Sequence, residues 1–258
     1  MTVAASKNPA KEPRLEAMAT ARVDDATLRL RSGSAAPVLR DAAVAIVGAG
    51  AIGSFLADLL VRAGVGALTL IDGDRVRPGN SVRHLAGQRY WGWNKAEAVA
   101  DIVRHAHGVA PSAQTTSLTA PADAELLLEA HDLVIDATAN TWTGELISRA
   151  AEHGCRPALS VYLQRDGGVA RVDRWPLVAW ERPQAPVPVL PGRYQPERRE
   201  GGCGDPVSLT PAWAAITAAT RASHLASQIL LGERVPVTVV DVLEPQPDPP
   251  YEQLGVVA

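Results

Sequence analysis

The chain has 258 residues, 47% of them apolar and 21% charged, with a formal net charge of −3. This composition fits a soluble globular protein with a large core and offers no global attraction to nucleic acid or an anionic membrane, so any phosphate recognition has to be local. No apolar stretch reaches the roughly 18 residues a transmembrane helix needs, and only two cysteines, Cys155 and Cys203, are present, too few for a disulfide framework or an all-cysteine zinc site.

Residues 1–25 are rich in alanine and charge and predict a loose or partner-contacting arm. They lack the apolar stretch of a secretory signal, which with the sparse cysteines predicts a cytoplasmic protein. Residues 26–258 read as one main domain. Val44–Val47 is expected as a buried strand, Ala51–Ala63 as a helix, Leu68–Ile71 as a second strand and residues 94–107 as a helix. "ADAELLLEA" continues as a helix, "DLVIDA" as a strand and "TWTGELISRAAEHG" as a helix ending in glycine. "PALSVYLQ" and "GGVARVD" predict strands around a turn at Arg165–Gly168.

Residues 176–206 are too proline-rich for a regular helix or central strand and predict an ordered crossover or a mobile active-site loop. "TPAWAAITAATRASHLASQILLG" predicts a long helix and "VPVTVVDV" a final strand. Near-continuous apolar strands between helices imply an α/β fold: a Rossmann-like, mostly parallel sheet with helices on both faces. Residues 154–258 are expected to extend that sheet and build one side of the site.

Gly48, Gly50 and Gly53 form G-x-G-x-x-G between the first strand and helix. The spacing allows a tight turn, close phosphate approach and close helix–strand packing. Backbone amides of residues 50–54, Ile52 among them, can then face phosphate oxygens. Asp72 ends the second strand 22 residues after Gly50, where a carboxylate accepts ribose hydroxyls. This supports an adenine nucleotide without separating NAD from ATP. Asp74 suits a ribose or metal contact, with a solvated turn residue nearly as good a reading.

The following segment, "GNSVRHLAGQRYWGWNKAEAV", is rich in amide and cationic groups. Together with "GAGAIGSFLADLLVRAGVGALTLIDGD" it resembles the ThiF/MoeB/HesA-type adenylyltransferases that activate ubiquitin-like and sulfur-carrier proteins. The resemblance runs from about residue 41 to 162, and Arg83–His84 is similar to the bacterial branch fused to ubiquitin-conjugating-like domains. It implies that Asn80, Arg83 and Lys95 face the triphosphate of ATP. The chemistry agrees, because adenylation releases pyrophosphate and charge grows on its oxygens, which an arginine fork and a lysine point charge neutralise. His84 reads as a packing or local hydrogen-bonding residue, and Trp91 and Trp93 as a lid or core edge.

The family pattern Asp-x-x-Asp-Asn appears here as Asp136, Ala139 and Asn140. An alanine cannot ligate Mg2+. Three accounts stand: Asp136 holds the ion directly or through water, the ATP phosphates carry most of the coordination with help from Asp74, or efficient adenylation is lost. Cys203, in "REGGCGDP", is either the acceptor of a thioester from the activated carrier or a structural loop residue. Cys155 reads as a packing residue, and the paired C-x-x-C zinc motifs of ThiF and MoeB are absent, so no structural zinc is expected.

The resemblance implies ATP-dependent adenylation of the C-terminal carboxylate of a small ubiquitin-like or sulfur-carrier protein or peptide, within one ThiF-like domain that commonly dimerises. Arg14 and Arg22 in the arm match no family motif for an arginine supplied in trans. The competing readings are a nucleotide-binding scaffold, favoured by Ala139, and an NAD-dependent oxidoreductase, which would leave Asn80, Arg83 and Lys95 underused.

Overall fold

A single helical turn, α1 (Ala36–Leu39), leads into β1 (Ala43–Val47), the centre of the sheet. The computed structural model describes residues 33, 35–154, 156–190 and 209–257. From β1 the chain runs through α2 (Ala51–Ala63), β2 (Ala67–Ile71), α3 (Lys95–His107), β3 (Ser112–Gln114), α4 (Pro121–Ala130) and β4 (Leu133–Asp136). It continues through α5 (Thr141–His153), β5 (Ala158–Gln164), β6 (Val169–Trp175), α6 (Ala212–Leu230), β7 (Thr238–Val242) and β8 (Gly255–Val257).

Among the described residues, eight strands lie in the order β3-β2-β1-β4-β5-β6-β7-β8. The five from β3 to β5 are parallel, and β6, β7 and β8 extend the sheet in antiparallel fashion. Alternate side chains of the central strands enter different cores. Val44 and Ile46 join Leu133, Ile135 and residues of α2, α3 and α6, whereas Ala45, Val47 and Val134 join residues of α4 and α5. Both sheet faces are thus covered by helices, which explains the unbroken apolar strands. Ala215, Ala218, Ala219 and Ala222 of α6 are fully buried, and their small side chains let α6 pack closely against α2.

β1 is flanked by β2 on one side and β4 on the other. The chain leaves β1 toward opposite edges, so a crevice opens at the carboxyl ends of these strands, the usual ligand position in open α/β sheets.

Two details depart from the sequence reading. The strand 238–242 is not final, because β8 pairs with it, and β3 adds an edge strand that the sequence did not announce. Both are three-residue edge strands, too short for a periodic apolar pattern to form. Within the proline-rich segment, residues 176–190 contain no helix or strand, yet they are tied down. The buried Arg171 guanidinium donates to the carbonyls of Gln184 and Ala185 at 2.7 and 2.8 Å, and Arg165 donates to that of Pro188 at 2.8 Å. Residues 191–206 of the segment lie outside the described residues. Among the described residues, no helix is long and apolar enough to cross a membrane.

Candidate nucleotide site

Gly48 leaves β1 with φ +94°, a conformation that L side chains rarely adopt. A Cβ there would also lie 2.9 Å from the Ala137 carbonyl carbon and the Thr138 nitrogen in the loop after β4. Gly53, one turn into α2, sits so close beneath it that a Cβ would fall 1.8 Å from the Gly48 carbonyl oxygen. The first and third glycines therefore serve backbone packing, and with Gly50 as N-cap they start α2 directly at the crevice.

Asp72 holds this turn in place. One carboxylate oxygen accepts from the Ala49 amide and the other from the Asp74 amide, both at 2.8 Å. Burial pushes its carboxyl up, while Lys95 and the two amides act in the opposite direction. Asn94 joins the next wall: as N-cap of α3 its Oδ1 accepts from the Ala96 and Glu97 amides. Its Nδ2 donates to the carbonyls of Asp72 and Asp74 at 2.7 and 3.1 Å. Lys95 follows directly and donates to Asp74 at 2.8 Å. That hydrogen bond is the main reason the exposed Asp74 carboxyl titrates low.

These walls enclose a cleft of about 370 Å³. Gly48, Gly50, Asp72, Asp74, Lys95 and Asn140 all line it. Ile52 is buried in the first turn of α2 beneath the glycine turn, as is Gly53. Thr116, Ser117 and Leu118 after β3, with Thr138 and Trp142 near α5, complete the cleft and were not singled out in the sequence. Asn94 was also missed as a positioning residue, although Asn followed three positions later by Glu97 is a helix-start signature.

Asn80 and Arg83 are not among the residues lining this cleft. Asn80 Oδ1 accepts from the Arg77 amide at 3.0 Å and closes a short turn. Arg83 is half-buried, and that burial pulls its guanidinium below the usual arginine range. Its charge, with that of Lys95, helps to hold down the pKa of the adjoining buried His84. Trp91 and Trp93 stay 43% and 46% exposed at the edge of this segment, Trp91 donating to Ser81 and Trp93 packing edge-on against Tyr90.

Asp136 ends β4 and is buried, with Oδ1 accepting from the Thr138 amide at 2.9 Å and the Thr138 hydroxyl at 2.6 Å. Burial pushes its carboxyl up, partly offset by Thr138. It lines a second cleft of about 540 Å³, together with Asn140, Tyr162, Gln164, Trp175 and Pro186. Asn140, which also caps α5 by accepting from the Thr143 amide, is common to both clefts. Among the described residues no group of three or more His, Cys, Asp or Glu is placed to hold a metal ion. Cys155, Cys203, Arg14 and Arg22 lie outside the described residues.

A glycine turn at the switch point, an acidic strand end and a lysine on the facing helix define a nucleotide-binding α/β domain. A sequence model of the ThiF family matches residues 27–234, and the chain belongs to that family. It is 36% identical over 155 residues to the ATP-dependent ubiquitin transferase-like protein Cap2 of Pseudomonas aeruginosa, covering 58% of this chain and 27% of that protein. It is 35% identical over 139 residues to the adenylyltransferase and sulfurtransferase uba4 of Neosartorya fischeri, covering 54% and 26%. The chain thus spans about a quarter of the length of these curated relatives. In fold it is similar to the crystal structure of E. coli MccB with ATP, with a TM-score of 0.63 and 15% identity over 86% of this chain and 64% of that one.

Proposed function

We propose that residues 26–258 form one adenylation domain that binds ATP and activates the C-terminal carboxylate of a small ubiquitin-like or sulfur-carrier protein or peptide. The observation that carries this reading is Lys95, whose ammonium stands on the wall of the same cleft as Gly48, Gly50 and Asp72. A hydride-transfer site has no leaving group for such a cation to neutralise. The names of Cap2 and uba4, and of the MccB structure with ATP, support the same class.

In the reaction, a carboxylate oxygen of the tail bonds to the α-phosphorus of ATP. The bond from that phosphorus to the bridging oxygen breaks, and its electron pair leaves with pyrophosphate. The attacking carboxylate is already ionised, so the domain needs alignment and phosphate stabilisation more than acid–base groups. Asp72 accepts the ribose hydroxyls, the amides of the first turn of α2 face the phosphates, and Lys95 neutralises the departing charge; Arg83 and Asn80, which stand outside the cleft lining, would join it only by turning toward the ligand. The tail lies in the second cleft, between β5, β6 and the proline-rich crossover, and meets the nucleotide beside Asn140.

Magnesium prefers oxygen ligands and is commonly held by one or two carboxylates plus phosphates and water. The residues fit that shared arrangement: Asp136 is a buried carboxylate that burial disfavours as an anion, whereas Ala139 brings no oxygen. Asp136 would hold the ion, whose charge would offset that of the phosphates, and Asp74 faces the cleft from the other wall.

Carrier-dependent exchange of pyrophosphate into ATP tests this reading, with NAD(H) turnover measured alongside. Exchange without NADH oxidation is expected; NADH oxidation without ATP overturns it. Ala139 favours a second reading, a nucleotide-binding scaffold, for which Mg·ATP binds and no carrier stimulates exchange. The proposal includes a homodimer in the cytoplasm and a role for Cys203 as thioester acceptor.

A further inference from the structure

The segment after Asn80 is stitched to the first turn of α2. The His84 amide donates to the Asn80 carbonyl at 2.9 Å, and the Leu85 amide donates to the buried Ser54 hydroxyl at 3.1 Å. This places the His84 imidazole against the second glycine of the turn. A Cβ on Gly50 would lie 3.7 Å from His84 Cε1 and 4.0 Å from its Nε2. Only 8% of His84 is exposed, yet among the described residues its buried Nδ1 has no hydrogen-bond partner.

A buried N–H without an acceptor is rarer and costlier than a buried lone pair without a donor. The imidazole therefore keeps Nδ1 bare and carries its proton on Nε2, the nitrogen on the Gly50 side. Packing alone would be served by an apolar ring or aliphatic chain with no orphaned nitrogen to bury. An N–H at this place has a natural acceptor in an anionic oxygen seated over the glycine turn, where the α2 amides also point.

We infer that His84, which packs against Gly50 just outside the residues lining the cleft, is a phosphate-contacting residue, its Nε2–H donating to a phosphate oxygen of the ligand that lies over Gly50. Burial and the neighbouring Lys95 and Arg83 hold the imidazole neutral, its pKa pushed down to about 4, so it contributes a donor and not a third cation. The inference rests on the nucleotide reading of the cleft and is independent of whether adenylation follows.

The test is calorimetric binding of ATP and of adenosine to the full chain and to three variants, with folding checked by circular dichroism. In His84→Leu, ATP affinity is expected to fall about tenfold or more, the usual worth of a hydrogen bond to a charged group. Adenosine affinity should stay within about twofold. His84→Gln, whose amide nitrogen reaches where Nε2 stands, should recover most of the lost affinity. His84→Asn, which reaches only as far as Nδ1, should not, and it replaces the leucine variant if that one misfolds. Unchanged ATP binding in the leucine and asparagine variants overturns the inference, as does an equal loss for adenosine. Wild-type protein that binds ATP without carrier-dependent exchange would sink adenylation alone, leaving the His84 contact to stand on the variants.

Discussion

Lys95, the first residue of α3, donates to the carboxylate of Asp74 at 2.8 Å across the mouth of the nucleotide cleft. The lysine side chain is only 14% exposed and the aspartate 76%, so the ammonium points along the cleft wall while its partner faces water. Asn94 fixes this geometry by capping α3 and holding the Asp72–Asp74 carbonyls together.

An ion pair with one partner in water contributes about 0.2–1 kcal/mol to stability. Lys95→Ala should therefore leave the melting temperature nearly unchanged and lower pyrophosphate exchange by about 100-fold or more. Arg83→Ala should act in the same direction. Full exchange by both purified, folded variants would remove them from the mechanism.

The glycines separate fold from function. Gly53→Ala forces a Cβ against the Gly48 backbone oxygen and should cost at least the ~1–3 kcal/mol usual for overpacking. Gly50→Ala meets only the His84 ring at ordinary contact distance, so it should stay folded while ATP affinity falls. Chemical denaturation and calorimetry distinguish the two; a Gly53→Ala variant as stable as wild type would contradict the backbone geometry.

Ala139 has φ +55°, a conformation several-fold enriched in Asn and Asp among non-glycine residues. The backbone thus keeps the shape that suits an aspartate. Ala139→Asp should change stability by less than about 1 kcal/mol and reduce several-fold the Mg2+ needed for half-maximal exchange. An unaltered Mg2+ titration would show that the ion does not approach this loop.

His84 links stability to pH. Its pKa is pushed down to about 4 in the folded protein from an ordinary 6.5, so the unfolded chain takes up a proton first as pH falls. Stability present above pH 6.5 is lost progressively as pH falls through the folded value, by on the order of 3 kcal/mol. Asp72 and Asp136, pushed up by burial, work in the opposite sense at the acid end, strengthening below the ordinary carboxylate range and losing that contribution as pH rises. Denaturation at pH 7 and 5 should therefore show a smaller loss for His84→Gln than for wild type; equal losses would place the titration elsewhere.

Cys203→Ala should form adenylate at the wild-type rate and fail to pass the carrier on as a thioester. Gel detection of a reducible carrier adduct checks this, and an adduct that persists in the variant rejects the cysteine.

By itself the sequence determined the β–α alternation, the glycine turn and the acidic strand end. Apolar periodicity, glycine spacing and strand-end chemistry are local properties: Ala51–Ala63 and residues 94–107 could be read directly, and Asp72 and Lys95 proved to share a cleft. The short edge strands β3 and β8 escaped because pairing with a neighbour, not their own pattern, makes them strands. Only the tertiary structure decided that Asn94 positions Lys95 and that Asp136 opens onto the second cleft. It alone also set His84 against Gly50, residues 34 positions apart in the chain. Such contacts depend on where long-range packing brings separate segments together, and no window of sequence contains that distance.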